Sequence, residues 1–261
     1  MTSAREFITD LAVQGRLHFA LADARSALGV SQAAAKLALL RLAKQGLVAS
    51  PARGFYVIVP PEYKRLGCLP ADQFIPQLME RLGLGYYAGL LSAAQYHGAA
   101  HHRPQEFQVM LAKNRRPIAC GAVRVGFVAR KQIAQVPVQS FNTPRGTILV
   151  STVEATAVDL VGYERHAGGL DQVATVLGEL AERIDPDKLL SAAKTAPLPW
   201  AQRLGYLLDL VDAGDRAEPL KAYVGAQAGD LTPLLPGAPH AKAPHDRRWR
   251  LYVNAEVEAE L

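Results

Sequence analysis

The 261-residue sequence predicts an α+β protein. Three observations carry that prediction. Apolar residues recur at helical spacing up to Lys44, broken by Gly15, Gly29 and Gly46; short alternating apolar runs fill residues 106–150; helical spacing then returns over residues 151–227. The first helix opens on Ser3-x-x-Glu6, a capping-box pattern, and carries Phe7, Ile8, Leu11 and Ala12. After the short segment Leu17-His18-Phe19, a second helix fits Leu21–Leu28 and stops at Gly29. The third takes Ser31 as N-cap and runs through Lys44 to Gly46, with Ala35, Ala38, Leu39 and Leu42 on one face. Leu47-Val48, a turn around Ser50–Gly54 and Phe55–Val59 read as a hairpin, closed by Pro60-Pro61.

That proline pair sets the predicted boundary between a domain of residues 1–65 and a second of residues 66–261. In the second domain a mixed α/β region (66–150) precedes a mainly helical region (151–261). The pattern from Cys68 to about Leu91 is helical, and a further helix ends near Gly98. Glu106–Ala112 and Val123–Ala129 look like strands joined as a hairpin by the basic loop Lys113–Pro117; Val136–Val138 and Thr147–Val150 are further strand candidates. Ser151-x-x-Glu154 reads as another capping box. Helices fit Leu170–Ile184, Asp187–Lys194 (with Asp185 as N-cap and Pro186 in the first turn), Trp200–Val211 and Glu218–Gln227. Gly229–His245 reads as an extended connector, and Trp249–Asn254 as a terminal strand returning to an earlier sheet.

Charge is unevenly spread. Residues 1–65 carry nine Lys/Arg against four acids and residues 66–145 nine against three, whereas residues 146–261 carry eleven against seventeen. Such a basic first half points to a polyanionic partner. Two cysteines are too few for a disulfide framework, and the N-terminus has no apolar signal core, so a reducing cytoplasm is the expected compartment. The uncharged run Leu82–His102 contains Gln95, His97, His101 and four glycines, which fits a buried helix and turn better than a membrane span.

Two short helices and a hairpin with Arg53 at its tip have the layout of a winged helix-turn-helix. Ser31, Gln32 and Lys36 are placed to meet base edges or phosphates, the small Ala33 allows close backbone approach, and Arg41 and Lys44 add charge along the helix. Arg53 would follow a neighbouring phosphate or the minor groove. The alternative is a winged-helix module that binds protein rather than DNA, and Leu37 and Leu40, off the core face, suit such a contact. Lys113, Arg115, Arg116, Arg124, Arg130 and Lys131 cluster about the predicted hairpin, as a second phosphate-contacting or acid-binding surface or simply as its solvated edge. No enzyme is expected. Gly83-Leu-Gly85-x-x-Ala88 lacks the preceding strand of a dinucleotide site, Glu106-x-Gln108 lacks a second acid, and His97, His101 and His102 lack further metal ligands. No catalytic residue, metal site or cofactor is therefore assigned.

Leu28–Val48 with Arg53-Gly-Phe-Tyr56, Tyr86–Gly98, Ser151–Leu160 and Trp249–Asn254 together resemble AbiEi-type antitoxins of abortive-infection, type IV toxin–antitoxin systems. The resemblance implies a repressor that binds repeats upstream of its own operon. It further implies that the C-terminal part counteracts a nucleotidyltransferase-like toxin without forming a stable complex with it.

Overall fold

The computed structural model describes residues 2–99 and 104–260. Its chain begins α1 (Ala4–Val13), β1 (His18–Ala20), α2 (Leu21–Leu28), α3 (Gln32–Lys44), β2 (Val48–Ala52), β3 (Phe55–Ile58) and α4 (Ile75–Leu82). There follow β4 (Tyr86–Ala88), α5 (Leu90–Tyr96), β5 (Phe107–Leu111), β6 (Ile118–Cys120), β7 (Val123–Ala129), β8 (Val138–Thr143) and β9 (Gly146–Ser151). Helices α6 (Val153–Gly162), α7 (Leu170–Leu180), α8 (Pro186–Ala193), α9 (Leu198–Leu210) and α10 (Glu218–Gln227) precede the two-residue strands β10 (Thr232–Pro233), β11 (His245–Asp246) and β12 (Leu251–Tyr252). The fold is α+β. It divides into unit 1 (Met1–Tyr86, Gln105–Arg130, Ser140–Ile148) and unit 2 (Tyr87–Pro104, Lys131–Gln139, Leu149–Leu261).

In unit 1 the helix starts and stops follow from local chemistry. The Ser3 hydroxyl accepts the Glu6 amide (3.1 Å) while the Glu6 carboxylate accepts the Ser3 amide (2.7 Å), and the second of these bonds holds the Glu6 carboxyl below the usual range. Gly29 ends α2 at φ +64°, and the Ser31 hydroxyl accepts the Ala34 amide (3.2 Å) to start α3. The segment Leu17-His18-Phe19 forms β1 rather than a plain connection, giving a sheet of order β1-β3-β2. Phe19 draws it in: buried, it stacks on Tyr56 (5.5 Å) and meets Phe7 edge-on (5.2 Å).

The core does not stop at Pro60-Pro61. Phe7, Phe19, Leu39, Phe55 and Val57 continue into Leu69, Phe74, Ile75, Leu78, Val109 and Val125 as one buried cluster, so the boundary expected at residue 65 falls inside unit 1. Proline interrupts backbone hydrogen bonding but not the packing of side chains on either side of it. The connector after the prolines docks where the Ala122 amide donates to the Leu66 carbonyl (2.7 Å). There the Cys68 and Cys120 thiols share a hydrogen bond, which together with burial pushes the Cys68 thiol above its ordinary range.

Two further expectations are corrected. The helix read from Cys68 to Leu91 is confined to Ile75–Leu82, because Gly83 caps it at φ +63° and Tyr86–Ala88 becomes β4. Residues 107–111 and 123–129 do not form a hairpin: β5 and β7 run parallel, and the basic loop Lys113–Pro117 leads instead into β6, which pairs antiparallel with β7. A three-residue strand is too short to leave a periodic signal.

In unit 2, β4 meets β9 in parallel through Ala88 and Val150. Helix α6 starts on Thr152, whose hydroxyl accepts the Ala155 amide (3.3 Å), and not on Ser151. Ser151 is buried at the end of β9 with its hydroxyl 2.7 Å from that of Thr156, and the Glu154 carboxylate accepts the Asp185 amide (3.2 Å) rather than closing a capping box. Helix α8 begins as expected, with Asp185 accepting the Asp187 and Lys188 amides at 3.0 Å each. The terminal strand does not return to an earlier sheet. β12 lies between β10 (parallel) and β11 (antiparallel), and Trp249 just before it is fully buried, its indole N–H donating to Asp209 (2.6 Å). Its ring occupies the space over Gly205 that a β-carbon would fill, 2.1 Å away.

His97 is 2% exposed, with Nε2 2.7 Å from the Ser151 carbonyl. Burial pushes its imidazole below the ordinary value; the hydrogen bond to the Ser151 carbonyl opposes this, and nearby Arg183 lowers it further against a smaller effect of Glu154. The unfolded chain therefore binds this proton more readily. The neutral ring contributes its full stability above the ordinary histidine value of about 6.5, and that contribution is lost as pH falls below it. Melting temperature is expected to drop between about pH 7.5 and 5, and His97→Gln is expected to flatten part of that slope. His18, shifted down mainly by burial, supplies another part. An unchanged slope in His97→Gln would show that His97 plays no part.

Candidate nucleic-acid interface

Four basic side chains of unit 1 converge on one groove of about 500 Å³. Gln32 and Lys36, one turn apart on α3, form one wall; Arg25 of α2, Arg53 and Gly54 of the β2–β3 turn, and Arg81 near the end of α4 complete it. Core packing dictates the presentation of α3. With Ala35, Leu39 and Leu42 buried, residues 32 and 36 fall at the edge of the exposed face beside the hairpin. Arg25, Lys36, Arg53 and Arg81 are exposed, and none forms an ion pair with another described residue. No carboxylate lines the groove. Four unpaired cations around one concavity concentrate positive potential and raise the local concentration of anions. Tyr56, fixed against Phe19, adds an aromatic edge.

Other residues proposed from sequence are dispersed. Ser31 and Ala33 are exposed at the start of α3 beside the groove, but neither lines it, and the Ser31 hydroxyl is engaged as a cap. Arg41 lies about 140° around α3 from Lys36, and Lys44 about 12 Å further along its axis. Both are exposed and outside the groove. Leu37 and Leu40, 49% and 53% exposed, share that outer face. Arg25 and Arg81 were not singled out in the sequence. Arg25 sits on a recognisable helix, but nothing local to Arg81 signals that α4 brings it to the hairpin.

The second basic set is only partly a surface. Lys113, Arg116 and Lys131 are exposed, Lys131 in unit 2. Arg115 lies over the Phe127 ring at 6.0 Å, and Arg124 donates to the Gly121 (2.8 Å) and Val123 (3.0 Å) carbonyls. Arg130 is buried at 2% exposure, which removes it from any docking face. Alternation places Arg124 outward, but it is blind to a chain that turns inward at a strand end. Among the described residues no three His, Cys, Asp or Glu side chains are grouped to hold a metal ion; His101 and His102 lie outside those residues. Among the described residues no helix is long and apolar enough to cross a membrane.

Comparison with known proteins adds the following. Residues 87–210 match the family described as the AbiEi antitoxin C-terminal domain. The fold resembles the crystal structure of the RV2827C protein from Mycobacterium tuberculosis, with a TM-score of 0.68 and 18% identity over 95% of this chain and 90% of that one. No curated protein matches the chain.

Proposed function

We propose, starting from a chain whose residues 87–210 match the AbiEi antitoxin C-terminal domain, that it is a DNA-binding autorepressor as well as an antitoxin. In this reading α2, α3 and the β2–β3 hairpin are a winged helix-turn-helix, and the basic groove holds operator DNA upstream of its own operon. The observation that carries it is the convergence of Lys36, Arg53 and Arg25 on one acid-free groove beside Gln32. Lys36 and the arginines would contact phosphates, whereas the Gln32 amide has the donor and acceptor needed to pair with adenine in the major groove. The antitoxin domain is proposed to counteract a nucleotidyltransferase-like toxin without a stable complex.

A mobility shift on the upstream duplex, repeated at two salt concentrations, tests the DNA half. Binding is expected, falling steeply with salt as phosphate contacts release counterions. Gln32→Ala is expected to cost about 1–3 kcal/mol on the operator and much less on an unrelated duplex, so an equal loss on both would remove its reading role. Co-expression with the protein of the neighbouring gene tests the antitoxin half, with rescue of growth as the expected result. A second reading rests on exposed Leu37 and Leu40: α3 docks protein rather than DNA. Absence of any mobility shift with intact growth rescue would favour it.

A further inference from the structure

We infer that the DNA-contacting surface extends beyond the winged helix, with Arg81 of α4 as a phosphate contact beside the hairpin tip. This rests on the DNA reading above and adds to it a segment that lies beyond the proline pair.

Four observations place Arg81 there. It lines the same groove as Lys36 and Arg53. A β-carbon built on Gly54 at the hairpin tip would lie 3.8 Å from an Arg81 guanidinium nitrogen, so the α4 cation stands against the turn itself. Gly54 has φ +72°, a left-handed conformation that keeps the turn tight and bare where the guanidinium passes. Finally, α4 is fixed in place, because Ile75, Leu78 and Met79 are fully buried in the core shared with Phe19, Phe55 and Val57.

The electrostatics agree. Arg81 also borders a neighbouring depression containing Asp23 and Glu80. Asp23 is paired with Arg16 at 2.7 Å, and Glu80 forms no ion pair with Arg81, so the guanidinium remains exposed and free. An exposed arginine held at a groove with three other cations gains most from an anion shared among them, and a fork of N–H donors suits a phosphate's oxygens. A hairpin that follows the DNA backbone would carry one phosphate past Arg53 and present the next to Arg81.

The test is fluorescence anisotropy of the full chain with a labelled duplex of its upstream region, titrated at several salt concentrations. Arg81→Ala is expected to weaken binding about tenfold at low salt and to reduce the slope of log affinity against log salt by about one. Arg81→Lys is expected to keep the slope. Arg5→Ala removes the same charge from α1 outside the groove and is expected to change the slope little. An Arg81→Ala slope equal to that of the unsubstituted chain, or a loss no greater than that of Arg5→Ala, would overturn the inference while leaving the DNA reading intact. Failure of the unsubstituted chain to bind any duplex would overturn both.

Discussion

Replacing Lys36 and Arg53 together with alanine is expected to weaken duplex binding by about 2–6 kcal/mol, since direct phosphate or base contacts typically contribute about 1–3 kcal/mol each. At the midpoint this is a loss of roughly a thousandfold, and the salt slope is expected to fall by about two. Both side chains are exposed and form no ion pair with another described residue, so melting temperature is expected to stay within the small range of surface substitutions. The companion pair Arg41→Ala and Lys44→Ala removes equal charge from the same helix but from outside the groove. Its expected loss is several-fold smaller. Equal losses in the two double variants would mean that α3 meets DNA along its outer face, and unchanged affinity in both would remove α3 as the reading element.

The largest expected effect on stability comes from Gly121→Ala. Gly121 sits at φ +58°, and a β-carbon there would lie 2.0 Å from the Leu66 carbonyl oxygen and 2.8 Å from the Gly67 carbonyl carbon. Both neighbours are backbone and cannot swing aside as the end of a side chain would. The left-handed conformation costs about 1–2 kcal/mol for alanine, and relieving the overlap typically adds about 1–3 kcal/mol. The connector must then lift from β6 and β7, loosening the Ala122–Leu66 hydrogen bond and the Cys68–Cys120 contact. Calorimetry is expected to show the melting temperature of the transition containing unit 1 lowered by about 6–12 °C. A shift under 2 °C would show that the connector docks without needing that glycine.

What could be read from the sequence was what neighbouring residues decide among themselves. The Ser3–Glu6 box, the Ser31 and Asp185 caps and the Gly29 stop were legible because each satisfies backbone groups within four residues of itself. The helix-and-hairpin pattern likewise groups Gln32, Lys36 and Arg53. What escaped depends on distant partners: β1 exists because β3 pairs with it, and β5 and β7 are parallel because β6 intervenes. The Ser151–Glu154 pattern failed for a related reason, since Glu154 finds the Asp185 amide 31 residues away. Arg81 was invisible as a groove residue on the same grounds. Its position is set by three apolar side chains in a core that sequence spacing alone divides at Pro60-Pro61.

The chain leaves unit 1 after Tyr86 and comes back to it twice, finishing it only at Ile148. During synthesis the segment from α1 to β3 therefore emerges long before its core is complete. The interval is about 60 residues, or roughly 3–12 s at ribosomal speeds of about 5–20 residues per second. At its start Phe19, Phe55 and Leu78 lack Val109 and Val125, which have yet to be made. A premature stop anywhere before residue 148 yields neither unit whole, and no single recombination point divides the chain so that both units stay intact. Unit 2 is thus begun before unit 1 is finished, and the two are made as interleaved segments of one chain.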